Sequence, residues 1–93
     1  MNQVFKALAD PHRRHVLELL RNGDMTAGEL AEHFSISKAT LSKHLQILQG
    51  ADLIMGTRKG TYITYTLNVS VLEEAVMEFM KFFKIENKKG RRS

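Results

Sequence analysis

The stretch from Thr26 to Gln49 limits the fold more than any other part of this chain. It carries two short apolar periodicities with a tight break between them. Thr26-Ala27-Gly28-Glu29 has the pattern of a capping box, in which a hydroxyl and a carboxylate satisfy free amides at a helix start. Ala27, Leu30, Ala31 and Phe34 then recur at i, i+3, i+4 and i+7, as a short amphipathic helix requires. Ser35-Ile36 interrupts the pattern, and Ser37 is placed to cap a further helix running to about Gln49, with Gly50 closing it.

Two short helices joined this way make a helix-turn-helix. A helical wheel tests what the second one is for. Leu41, Leu45 and Leu48 fall within about 60° of one another at 100° per residue, and define the core side. Ala39, Lys43 and Gln46 lie roughly 130–170° from that centre, with Ser42 and Thr40 on the shoulders. This outer face is small, polar and positive, and holds no carboxylate. Small residues allow a helix into the major groove, where Ser, Thr, Gln and Lys reach base edges and phosphates. A merely solvated helix of this length is expected to carry some Glu or Asp.

The flanking segments complete a framework. Val4, Phe5 and Leu8 share one side of a first helix that stops at Asp10-Pro11, because a residue preceding proline is pushed out of the α region. Asp10 caps a second helix with Pro11 at its first position. Arg13, Val16, Leu17 and Leu20 form its inner stripe, and Asn22-Gly23 ends it. After residue 52 the period changes. Leu53–Arg58 and Thr61–Leu67 read as two strands around a Lys59-Gly60 turn, with Ile63, Tyr65 and Leu67 alternating against Tyr62, Thr64 and Thr66. A second capping box, Ser70 to Glu73, is expected to open a last helix with Leu72, Ala75, Val76, Phe79, Met80 and Phe83 on one face and Phe82 alongside. The expected fold is mainly α with a small β-hairpin (α+β), in the order α-α-α-α-β-β-α. One domain spans residues 1–85, and residues 86–93 form a basic, disordered tail.

Charge and composition exclude several functions. The net charge of +4 divides unevenly, with Lys38, Lys43, Arg58 and Lys59 against Asp52 leaving +3 in residues 35–60. The last ten residues add +4, so the high pI alone says little, whereas the middle cluster marks a nucleic-acid face. Lys59-Gly60 places Arg58 and Lys59 at a hairpin tip suited to a phosphate backbone or a minor groove. There is no Cys, which removes disulfides, thiolate metal sites and a cysteine nucleophile. With no phosphate-binding glycine loop and no carboxylate pair beside a His, an enzyme is excluded and no cofactor is implied. No apolar run approaches the roughly 18 residues of a membrane span, and no signal stretch precedes the first charges, so a cytoplasmic protein is expected.

The chain resembles the ArsR/SmtB winged-helix repressors over residues 2 to about 83. The run Leu8-Ala9-Asp10-Pro11-His12-Arg13-Arg14-His15-Val16-Leu17 is similar to the family's opening signature. Thr26–Glu32 and Ser35–Leu48 match its DNA-binding unit, and Arg58-Lys59-Gly60 with Tyr62, Tyr65 and Leu67 match its wing. The resemblance implies a repressor, read on both grounds as binding DNA through Ser37, Lys38, Ala39, Thr40, Ser42, Lys43, Gln46, Arg58 and Lys59. It implies a homodimer joined through the first and last helices, by Val4, Phe5, Leu8, Leu72, Val76, Phe79, Met80 and Phe83, on an inverted-repeat operator. Thr26 and Gly28 stand where many relatives place metal-binding cysteines, and the last helix has Glu73, Glu74 and Glu78 but no His. No metal site is therefore expected, and the chain looks nearest to the metal-blind, SdpR-like autorepressor branch. Its release signal stays open between a protein anti-repressor, a small molecule and none. The alternative is a winged-helix module that docks a protein partner on its apolar last helix.

Three further features carry two readings. His12 and His15 lie three apart on one helix, but two imidazoles without a carboxylate or thiolate nearby do not make a metal site. His44 flanks the core, as a packed, hydrogen-bonded histidine or as a sensor. Arg13 and Arg14 either help position DNA or pair with an acidic residue.

Overall fold

Asp10 and Pro11 separate the first two helices as their chemistry requires. The computed structural model describes residues 2–83, with α1 at Asn2–Leu8 and α2 at Pro11–Arg21. The Asp10 carboxylate accepts from the backbone N–H groups of His12 at 2.7 Å and Arg13 at 3.2 Å, satisfying amides that a helix start leaves free. The chain then forms β1 (Met25–Thr26), α3 (Ala27–Ala31), α4 (Lys38–Gly50), β2 (Ile54–Lys59), β3 (Tyr62–Leu67) and α5 (Val69–Phe82). This is the expected winged helix-turn-helix with one added strand.

That strand is a correction. Met25 and Thr26 pair antiparallel with Tyr65 and Thr64, so the sheet has three strands in the order β1-β3-β2. Two residues are too short to show alternation, and their partners lie some forty positions away. The hairpin register runs from Ile54 opposite Leu67 to Lys59 opposite Tyr62, so the first strand is shifted one residue along the chain from expectation and the second begins one residue later. Gly60 opens the remaining two-residue connection at φ 62°, a left-handed conformation that glycine adopts without strain.

Two helix ends also differ from expectation. Helix α4 continues through Gly50, and the left-handed position falls on Asp52 at φ 61°. The Leu53 N–H returns to the Leu48 carbonyl at 3.0 Å and closes that end. Helix α5 begins at Val69, with Asn68 at its N-cap, so Ser70 is inside the helix and its capping box with Glu73 is not formed. The cause is the preceding strand. The Asn68 N–H is held by the Leu53 carbonyl at 2.9 Å, and the Asn68 carbonyl already accepts from Leu72.

The core is one cluster. Val16, Leu17 and Leu20 of α2 meet Leu30 of α3 and Leu41, Leu45 and Leu48 of α4, with Leu53, Ile54 and Tyr65 from the sheet side. Ala7 and Val4 of α1 are also buried, Val4 at 7 % exposure. Val4 therefore fills its own protomer's core and leaves the set of residues expected at a dimer seam.

Candidate nucleic-acid interface

Local chemistry orients α4. The Ser37 hydroxyl accepts from the Thr40 N–H at 3.1 Å and donates to the Thr40 hydroxyl at 2.9 Å. Upstream, Thr26 and Glu29 form the expected capping box, Thr26 Oγ1 accepting from the Glu29 N–H at 3.1 Å and Glu29 Oε1 from the Thr26 N–H at 2.8 Å. Helix α3 has only one and a half turns and continues as i→i+3 bonds from Glu32, His33 and Phe34. Phe34 lies beyond its end, packed on the rings of His12 and His15.

With its leucines buried, α4 presents Lys38, Ala39, Thr40, Ser42, Lys43 and Gln46 to solvent. All but Lys38 are the residues the wheel assigned to the outer face and its shoulders; Lys38, expected from the family resemblance, is exposed with them, and so is Ser37. The hydroxyls of Ser37 and Thr40 are engaged with each other, so their free capacity for DNA is smaller than that of Ser42, Lys43 and Gln46. On the hairpin, Arg58 and Lys59 are both exposed, opposite Ile63 and Tyr62. Adjacent strand residues point to opposite faces, so the two cations flank the wing rather than forming one patch. Tyr62, 67 % exposed beside Lys59, is a wing aromatic not included among the expected contact residues. Alternation had assigned it only to the outer side.

Among the described residues neither Arg13 nor Arg14 makes the ion pair with an acidic side chain that was one of their two expected roles; both donate to backbone carbonyls. The Arg13 guanidinium donates to the carbonyls of Ala7 at 2.8 Å and Lys6 at 3.1 Å, and meets His44 Nδ1 at 3.2 Å. Arg14 donates to the Leu8 carbonyl at 2.9 Å. Both cations satisfy the open C-terminal carbonyls of α1, where a positive charge is favourable. Arg13 in addition joins α1 to α4. Burial pushes the Asp10 carboxyl up, but N–H bonds from Arg13 and His12, with the charges of His44 and Arg13, outweigh it and hold the carboxyl below the usual aspartate range.

Residues 8–57, covering α2 to α4 and most of the first wing strand, match the family model described as a helix-turn-helix domain. Over 82 residues the chain is 52 % identical to the transcriptional repressor SdpR of Bacillus subtilis (strain 168), covering 88 % of this chain and 91 % of that protein. The chain belongs to the ArsR/SmtB family of winged-helix repressors. It is also 36 % identical to an arsenical resistance operon repressor of Staphylococcus xylosus, over 78 % of this chain and 70 % of that one. Among solved structures, one of a possible transcriptional regulator for arsenical resistance superimposes with a TM-score of 0.81 at 30 % identity, over 92 % of this chain and 91 % of that chain. An ArsR-like transcriptional regulator from Rhodococcus sp. RHA1 gives a TM-score of 0.77 at 28 % identity, over 89 % and 78 %. This ArsR-family protein is thus a transcriptional repressor and not an enzyme. The protein-docking alternative gives way to the DNA-binding reading.

The face between α1 and α5 is the second surface of the repressor. Only Ala75 of α5 is buried, while Val76, Phe79 and Phe83 are about half exposed and Phe82 is 78 % exposed. Phe5 of α1 packs edge-on against Phe79 at 6.1 Å, and Phe79, Phe83 and Phe82 continue as a chain of ring contacts. Together they line an open apolar groove with Leu8 and Val76. Leu8 and Leu72 are partly buried against the core, and Met80 is half-buried. Phe82 and Met77 are exposed apolar residues outside the expected seam. Among the described residues, no helix is long and apolar enough to cross a membrane. The basic tail expected at 86–93 lies outside them.

Proposed function

We propose that this repressor binds an inverted-repeat operator as a homodimer, with α4 in the major groove and the β2–β3 wing on the flanking backbone. The carboxylate-free outer face of α4 carries the reading: its exposed side chains are small, hydroxylated, amide or cationic. Ser42, Lys43 and Gln46 read base edges. Lys38, Arg58 and Lys59 hold phosphates, and Ala39 allows close approach. The exposed aromatic face of α5 supports pairing with a second copy through Phe5, Leu8, Val76, Phe79 and Phe83. A chain of 93 residues gains much of its stability from such burial. Two-fold pairing presents two copies of α4, which is why the operator is an inverted repeat.

The similarity to SdpR supports an autorepressor, acting in the cytoplasm where its operator lies. The thiolate chemistry that binds arsenicals has no counterpart, because the chain contains no cysteine. Release of the operator, by a protein anti-repressor, by a small molecule or by no signal at all, does not go through the family's cysteine positions.

Fluorescence anisotropy on operator DNA selected from genomic fragments, and on scrambled DNA, at several salt concentrations tests this reading. Operator preference with a steep salt dependence is expected. Salt-independent binding, or equal affinity for both DNAs, overturns it.

A further inference from the structure

The fold supplies what the sequence spacing of His12 and His15 lacked. His15 turns onto Phe34, with ring centroids 4.9 Å apart, and leaves His12. In its place His44 comes across from α4, its ring 5.5 Å from that of His12. Asp10, at the N-cap of α2, lies between them. Its Oδ1 is 3.8 Å from His12 Nδ1 and 3.9 Å from His44 Nε2. One ligand atom from each of the three residues lies within 4.8 Å of the others.

We propose that Asp10, His12 and His44 form an open, three-ligand site for a divalent cation of the zinc class. The inference goes beyond the repressor reading and does not depend on it. Tetrahedral zinc, with bonds of about 2.0–2.1 Å to nitrogen and oxygen, sets its ligands about 3.3–3.5 Å apart. The two edges to Asp10, at 3.8 and 3.9 Å, exceed that by about 0.5 Å and the third lies within 4.8 Å, so the His12 and His44 rings turn inward to close on a cation. Two borderline imidazoles with one hard carboxylate suit zinc rather than soft, thiophilic metals. The His12 side chain is 45 % exposed, Asp10 31 % and His44 12 %, so a cation enters from the side of His12 and keeps a water as fourth ligand.

Arg13 sets the strength of the site. Its Nη1 lies 3.2 Å from His44 Nδ1, which must accept that hydrogen bond. Metal on Nε2 requires the proton on Nδ1, leaving two donors face to face. Occupancy therefore exchanges the Arg13–His44 bond for a coordinate bond, while Arg13 keeps the Ala7 and Lys6 carbonyls. Ligating histidines normally donate their second N–H to an acceptor, and a guanidinium in that place weakens binding. Affinity therefore falls well short of that of a closed four-ligand site. The bound cation would tie the start of α2 directly to the DNA-reading helix.

Zinc titration of the full chain, in competition with a chromogenic chelator of micromolar affinity, tests the proposal. One zinc per chain is expected, with Asp10→Asn and His12→Ala each weakening binding at least tenfold and His15→Ala leaving it within twofold. Asparagine caps a helix as well as aspartate, so Asp10→Asn removes the ligand charge and keeps the cap. Far-UV circular dichroism confirms that each variant is folded, and His12→Ala, at a half-exposed side chain, decides the matter if Asp10→Asn is not. Binding weaker than about 100 μM (~5.5 kcal/mol), undiminished binding by His12→Ala, or an equal loss in His15→Ala overturns the proposal.

Discussion

Replacing Arg58 and Lys59 together by Gln separates anchoring from reading on this repressor. Both side chains are exposed and sit at the last two cross-strand pairs of the wing, so their removal empties no core site. Each phosphate contact contributes about 0.9 to the slope of log affinity against log salt. Two contacts per chain in a dimer make four, or about 3.6 units of slope. Between 50 and 200 mM salt, a change of about 0.6 in log concentration, wild-type affinity should fall roughly 150-fold further than that of the double variant. The loss should be similar on operator and scrambled DNA, because phosphates carry no sequence information. Anisotropy titrations at four salt concentrations on both DNAs measure it, with thermal melting as the control for folding. A slope change below one unit per dimer, or a loss confined to the operator, would show that the wing does not anchor through these cations.

Ser42→Ala or Lys43→Ala should cost roughly 1–3 kcal/mol on operator and less on scrambled DNA. Equal losses on both, in the same titrations, would make Lys43 a phosphate anchor. Leu45→Ala, at a buried position on the opposite side of α4, should lower unfolding free energy by roughly 2–5 kcal/mol in a denaturant titration. A change under ~1 kcal/mol would mean that the site collapses or is not packed. Phe79→Glu with Phe83→Glu should give monomers in sedimentation and abolish tight operator binding; a retained dimer would place the seam elsewhere. Burial raises the Tyr65 hydroxyl above its ordinary range, only partly offset by the Arg58 charge. The folded chain therefore holds that proton more tightly than the unfolded one. Its contribution to stability is complete below about pH 10 and is lost as pH rises through the folded value. Tyr65→Phe should flatten the alkaline side of the stability profile, and an unchanged profile would remove Tyr65 from the account.

What the sequence made legible was governed by neighbours within about one turn. Asp10, Thr26 and Ser37 cap the helices they precede because cap and amide lie two or three residues apart. The wheel placed Leu41, Leu45 and Leu48 inside and Lys43 and Gln46 outside for the same local reason. Features set by distant partners were not legible. Met25–Thr26 becomes a strand only because Thr64 and Tyr65 arrive beside it. Ser70 loses its capping role because the strand before it is tied to Leu53. Val4 looks like a free apolar residue until α1 folds onto the core. The cluster of Asp10, His12 and His44 joins positions more than thirty apart, and no spacing rule connects them.

Thr26 belongs to two structures at once, as the last residue of β1 and the N-cap of α3. The sheet of the wing and the helix-turn-helix are thereby stitched together at one residue. In the proposed operator complex they act as one preassembled tool, and little freedom is left for binding to remove. A molecule that pried β1 from β3 would loosen both grips together, so the seam at Thr26 is where a single displacement could disarm the whole reading head.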